Sequence, residues 1–141
     1  MRFWDASALV PLLADEAASA PMHARLEEDA DVLIWWSTPV ECASALARRL
    51  RERRMGRREA MRGEERLRRL AKDWTEVVPS EAVRIQSHRL LRVHPLRAAD
   101  ALQLAAAIVA AEHEPASLDF VTLDDRLAGA AEREGFRVIV D

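Results

Sequence analysis

Residues 120–140 read FVTLDDRLAGAAEREGFRVIV. Phe120–Leu123 is a short apolar run with strand character, and Asp124 follows it directly. Asp125–Glu134 carries apolar residues at helical spacing, and Gly135 stands where a helix ending in a left-handed residue places its glycine. Arg137–Val140 is then a second strand. Strand, helix and strand in succession form the unit that builds parallel sheet, because the helix carries the chain back to the same end of the sheet.

The alternation recurs upstream. MRFW (1–4) is a candidate first strand ended by Asp5, followed by a short helix over Ala6–Ala14 with Ser7 near its start. Pro21–Glu28 reads as a second helix with Ser19 as its cap. Val32–Trp36 is continuously apolar, as in a strand covered on both faces. Thr38 then reads as a helix cap, Pro39 suits the first turn, and Glu41 occupies the capping-box position of a helix running to about Arg54. Met55-Gly56 breaks it, and a further helix covers Arg57–Asp73. Glu76–Val78 is a short strand, stopped by Pro79-Ser80 before a helix over Glu81–Leu91. His94-Pro95 is a turn, and a long apolar helix spans Arg97–Ala111. Helices joining strands imply a mostly parallel sheet of four to five strands with helices on both faces. Ligands of such sheets bind beyond the carboxyl ends of the strands.

That rule gives a location to three acids. Asp5 ends the first strand, Asp124 ends FVTL, and Glu41 lies five residues past VLIWW, in the first turn of the next helix. Asp100 opens the apolar helix in LRAADALQLAAA, and nothing in the spacing alone brings it to the others. Taken singly, each acid reads as a helix cap or as a partner of a helix dipole. Taken together, several carboxylates near one sheet edge repel each other unless a cation lies between them. Oxygen donors without Cys or paired His favour Mg²⁺, with Mn²⁺ the alternative, over Zn²⁺.

Four segments carry a family resemblance. FWDASALVPLL resembles the opening of PIN-domain nucleases, TPVECASAL their second acidic motif, RAADALQLAAA the third, and FVTLDDRLAGAAEREGFRVI the last. They stand in the family's order and cover the chain. Size and layout are most similar to the toxins of bacterial VapBC toxin–antitoxin systems. The resemblance implies a three-layer α/β/α fold in one domain, residues 1–141, with a basic helical hairpin at about 39–73. It implies that Asp5, Glu41, Asp100 and Asp124 are the catalytic, metal-binding acids. It also implies that Ser7 and Thr122 support the site and that Asp125 is a less secure addition. The activity implied is Mg²⁺-dependent endoribonuclease cleavage through an activated water, leaving a 5′-phosphate and a 3′-hydroxyl. The partners implied are an RNA substrate, a cognate antitoxin protein and a second copy of the chain.

Composition agrees with a globular chain. Of 141 residues 50% are hydrophobic and 32% charged, which sets the sequence apart from disordered proteins. The single cysteine, Cys42, reads as a small buried helix residue. The apolar segment 98–111 is interrupted by Asp100 and Gln103 and is too short for a bilayer. No basic leader precedes an apolar run at the N-terminus, so a cytoplasmic location is expected.

Net charge is −3, yet residues 48–72 hold twelve Lys/Arg against Glu52, Glu59, Glu64 and Glu65. This arm, net +8, suits a polyanion, with Arg48, Arg49, Arg51, Arg53, Arg54, Arg57 and Arg58 as candidates. It equally suits a solvated hairpin with pairs such as Glu65–Arg69, or the holding of an antitoxin. Leu9, Val10, Leu12 and Leu13 read as core ahead of subunit interface. His23, His88, His94 and His113 lack ligand spacing. Trp4 and Trp35 read as core, whereas Trp36 and Trp74 stay open, and the absence of Tyr speaks against an aromatic base-reading platform.

Two rival readings remain: a PIN-like binding module that no longer cuts, and another acidic-pocket α/β phosphohydrolase. An aspartyl-phosphate phosphatase needs Asp-x-Asp after the first strand, where this chain has Asp5-Ala6-Ser7.

Overall fold

The computed structural model describes residues 1–140; Asp141, the last residue of the expected domain, lies outside the described residues. Five strands, β1 (Arg2–Trp4), β2 (Val32–Trp35), β3 (Thr75–Val77), β4 (Asp119–Val121) and β5 (Arg137–Ile139), form one sheet in the order β3-β2-β1-β4-β5. Every pairing is parallel. The sheet is thus all-parallel, at the upper end of the expected strand count.

The helices are α1 (Ala6–Leu9), α2 (Ser19–Glu28), α3 (Thr38–Arg51), α4 (Arg57–Leu70), α5 (Glu81–Val93), α6 (Ala98–Ala110) and α7 (Asp125–Arg133). They divide by sheet face. Phe3, Leu33 and Trp35 pack with Leu90 of α5, Leu104 and Ala105 of α6, and Leu127 of α7. On the opposite face Trp4, Ile34 and Val121 pack with Leu9, Met22, Leu46 and Leu67 of α1 to α4. Successive strand residues point to opposite faces, so the adjacent Phe3 and Trp4 serve the two cores. Leu9, Val10, Leu12 and Leu13 are all buried, so all four belong to the core. None of the described helices is long and apolar enough to cross a membrane.

Several boundaries move from expectation for local reasons. The first helix is not continuous over Ala6–Ala14: it ends at Leu9 and passes into a 3-10 turn, Val10–Leu12, centred on Pro11, which cannot donate a helical hydrogen bond. Ser19 is inside α2 rather than its cap; its hydroxyl accepts from Glu16 N (2.9 Å) and donates to Ala14 O (2.8 Å), closing the preceding loop. Thr38 is likewise inside α3, with Ser37 in the cap position. α3 stops at Arg51, since Arg53 takes a left-handed φ of 56° that reverses the chain toward α4. Residues Ala71–Asp73 tighten into a 3-10 turn instead of extending α4.

The α3–α4 hairpin is tied to the body. Arg49 pairs with Glu16 at 2.7 Å, and Arg66 donates to Leu12 O at 3.4 Å. Arg49 therefore helps hold the arm in place, a role the charge count alone does not separate from RNA contact. The expected Glu65–Arg69 pair does not form among the described residues; the arm's short ion pair is Arg54–Glu52. α4 comes close to α3 at Gly63, where an added Cβ would stand 3.1 Å from Leu46 Cδ1 and 3.3 Å from Leu13 O. Gly56, at the hairpin turn, has nothing within 4 Å of such a Cβ. Gly63→Val is expected to destabilise the protein by about 1–3 kcal/mol through overpacking. Gly56→Ala should stay within roughly 0.5 kcal/mol of the parent, as surface changes usually do. Urea unfolding of the two variants checks this, and equal midpoints would mean that α4 is not seated on α3 as described.

Candidate active site

The carboxyl edge of the sheet gathers the acids. Asp5 follows β1 and caps α1, and Asp124 follows β4 by three residues and caps α7. Glu41 lies in the first turn of α3 and Asp100 in the first turn of α6. α3 and α6 belong to opposite faces of the sheet, so their amino ends straddle its edge. Asp100, which spacing could not place, is thereby brought to the others. Coulombic repulsion links Asp5 to Asp124, Asp124 to Asp100, and Asp100 to Glu41, a continuous string of four carboxylates.

Asp5 and Asp124 both cap the helices that follow them. Asp124 Oδ1 accepts from Leu127 N at 2.9 Å, an ordinary helix cap. Asp5 accepts from Ser7 N at 3.2 Å and from Ser7 Oγ at 2.8 Å. The Ser7 hydroxyl also accepts from Leu123 N (2.8 Å) and lies 3.3 Å from Thr122 Oγ1, which itself accepts from Asp124 N (3.0 Å). Since Ser7 gives its proton to Asp5, Thr122 supplies the proton between the two hydroxyls. These contacts clasp the ends of β1 and β4, and both hydroxyls expected to support the site lie in the clasp.

Glu41 is oriented from two sides. Ser37 Oγ donates to its Oε1 at 2.9 Å, and Gln103 Nε2 donates to the same atom at 3.2 Å. Gln103 is fully buried and also donates to Thr38 Oγ1 at 3.0 Å, so it stitches α6 to α3. Neither Gln103 nor Ser37 was singled out from sequence as part of the site. The available signal was the polar residue one turn after Asp100 in an otherwise apolar helix, which puts both on neighbouring positions of one face.

The electrostatics are those of a site short of positive charge. Asp5 is buried, and its pKa rises from 3.8 to about 6, chiefly through desolvation, against the lowering effect of its hydrogen bonds. Glu41 and Asp100 are also pushed up, first by desolvation, then by Asp100 and Asp124 respectively. Arg126 and Arg97 partly offset this at Asp100. Among the described residues none of the four acids takes part in an ion pair.

Asp125 is exposed in the first turn of α7. Cys42 is buried beside the acids, and burial pushes its thiol up to about 12, so it offers neither a thiolate ligand nor a nucleophile. His94 is used elsewhere: its Nε2 meets Glu134 at 2.6 Å, where Arg89 also pairs.

The donor set is all carboxylate oxygen. Among the described residues no three of His, Cys, Asp or Glu lie together as a group that could hold a metal ion. An open, oxygen-only arrangement fits a hard cation such as Mg²⁺, which keeps several of its waters and takes only one or two carboxylates.

Comparison with known proteins follows from this geometry. A family model described as PIN domain matches residues 2–133. None of the curated proteins matches the chain by sequence. Among solved structures, PAE2754 from Pyrobaculum aerophilum superposes with a TM-score of 0.67 at 21% identity, covering 99% of this chain and 87% of that one. FitAcB from Neisseria gonorrhoeae gives 0.67 at 20% identity, covering 99% and 96%. FitAB bound to the IR36 DNA fragment gives 0.65 at 18% identity, covering 99% and 94%. At these identities the structural likeness establishes the fold.

The raised pKa of Asp5 has a sign. Its stabilising contribution is fully present below the unfolded value of 3.8 and is lost as pH rises through about 6. The metal-free protein is therefore expected to lose up to about 3 kcal/mol from this group as pH climbs from about 4 to about 6, at about 1.4 kcal/mol per unit, with little further loss above that. Asp5→Asn should flatten that loss. Thermal melts of both proteins in chelator between about pH 4 and 7 provide the check, and parallel profiles would show that Asp5 does not titrate in this way.

Proposed function

This chain belongs to the PIN-domain family, whose members are generally nucleases, and we propose that it is a Mg²⁺-dependent endoribonuclease, the toxin of a type II toxin–antitoxin pair, working as one unit over residues 1–141. The observation that carries the reading is the string of four mutually repelling carboxylates at the sheet edge, none of them in an ion pair among the described residues. Four such groups destabilise the fold unless a cation is part of the working protein.

Asp5, Asp100, Asp124 and Glu41 are the residues that would hold the cation, with Mn²⁺ as the alternative to Mg²⁺. When bound, a divalent cation supplies neutralisation of the phosphate and a lower pKa for the attacking water. The side chains do the remaining work. Ser7 fixes the Asp5 carboxylate through its hydroxyl and backbone N–H. Gln103 and Ser37 hold Glu41 with one oxygen engaged. Thr122 orders the Asp124 backbone at the opposite side of the clasp. Arg48, Arg51, Arg53, Arg57 and Arg58 stand exposed on the arm and offer guidance to a phosphate backbone that the acids alone would repel. Partnership with an antitoxin protein, a second copy of the chain and a cytoplasmic setting belong to the same reading. FitAB, similar in fold, is seen with a DNA fragment, so DNA belongs beside RNA in the substrate test.

The purified chain is expected to cleave RNA with Mg²⁺ or Mn²⁺ and to stop in chelator. Asp5→Asn and Asp100→Asn should abolish cleavage, and Gln103→Leu, which leaves Glu41 short of one donor, should lower it roughly 10- to 100-fold. A folded wild type that cuts neither RNA nor DNA in the presence of either metal would sink the nuclease reading in favour of a binding module. Cleavage of DNA alone would correct the substrate.

A further inference from the structure

Trp35 and Trp36 are adjacent and opposite in environment. Trp35 is 5% exposed and packs in the core, while Trp36 is 54% exposed. Val40, at 67%, and Val78, at 62%, are also exposed. The register Trp35↔Val77, carried one residue further, sets Trp36 beside Val78, and Trp36 N donates to Val77 O at 3.1 Å. Val40 lies four residues on, in the first turn of α3. An indole held on rigid backbone, with two aliphatic neighbours in water, is the sort of exposed patch that marks a contact surface.

Its position selects the occupant. The register Phe3↔Leu33 between β1 and β2, continued two residues, puts Asp5 level with Trp35. Trp36 therefore follows β2 one residue beyond the level at which Asp5 follows β1. Its next neighbour, Ser37, is the residue that donates to Glu41. The same α3 that begins here carries Arg48 and Arg51 near its other end, about 20 Å away at 1.5 Å per residue. Acid cluster and apolar residues thus lie at one end of α3 and the cationic arm at the other. Carboxylates offer no face to a base, and the arginines of the arm, which could stack on one, stand near the far end of α3. An exposed aromatic offers a face to any base, provided the base is unstacked.

We propose that Trp36 is the stacking platform for an unpaired base beside the bond that is cut. This rests on the nuclease reading above. It also revises the expectation that a chain without Tyr lacks an aromatic contact for bases.

The test uses the full chain and a short single-stranded oligoribonucleotide that wild type cleaves, or a mixed-sequence one if none is found. Cleavage is compared in wild type, Trp36→Ala, Trp36→Phe and Trp74→Phe, with fluorescence quenching on oligonucleotide addition followed in the Asp5→Asn background. Trp36→Ala should lose roughly 5- to 150-fold in kcat/KM on the single strand, the range of one base–aromatic stack. Trp36→Phe should retain most of the activity, and Trp74→Phe all of it. Quenching should vanish with either Trp36 change and persist in Trp74→Phe. Cleavage with no Trp36-dependent quenching and no loss in Trp36→Ala overturns the platform and leaves the nuclease standing. Trp36-dependent quenching with no cleavage by wild type keeps the base contact and removes the nuclease. A fall in sedimentation mass on Trp36→Ala, without change in quenching, assigns these apolar residues to a second copy of the chain and overturns the proposal.

Discussion

A carboxylate taken out of water at the end of a parallel strand is the constraint on which the rest of the site depends. Asp5 has lost nearly all its hydration and gained Ser7 in exchange. Those hydrogen bonds lower its pKa, but desolvation outweighs them, so the group remains raised. Every neighbouring device answers the same problem. Ser7 and Thr122 satisfy lone pairs and N–H groups around the clasp, and the amino ends of α1 and α7 contribute the positive ends of their backbone dipoles. Gln103 does the equivalent across the sheet for Glu41. The arrangement orients the acids without neutralising them.

Much of this was legible because two rules act over short range. Continuous apolar runs gave the strands, and an acid directly after a strand gave Asp5 and Asp124 a common edge. Asp100 was a different matter: its approach to Asp124 depends on how α6 packs on the sheet, which periodicity does not encode, and family resemblance alone pointed to it. Gln103 escaped attention because a Gln in an Ala/Leu helix looks like an interruption of apolarity. Its role appears only once Thr38 and Glu41 stand opposite it. Thr38 is a similar case. A Thr before Pro resembles a cap, but its hydroxyl is drawn inward to a tertiary partner while Ser37 takes the cap position.

The arm shows a similar division. Its net charge was plain from sequence, yet charge counts treat every arginine alike. Arg49 and Arg66 reach back to Glu16 and Leu12 and fasten the hairpin, while Arg48 and Arg51 face water. Pro11 ended α1 early through the chemistry of its ring, and this shortening sets Leu12 O where Arg66 can reach it.

The strand order also governs when the acids can meet. β1 is the middle strand, and its neighbour on one side, β4, begins only at Asp119. A ribosome releases the chain from its amino end, so Asp5 emerges early and waits for Asp124, with Ser7 lacking Thr122 throughout. The clasp between them cannot form on a nascent chain that stops short of β4, and closing so distant a pair is entropically slow. The two halves of the site are thus held apart until β4 has been made.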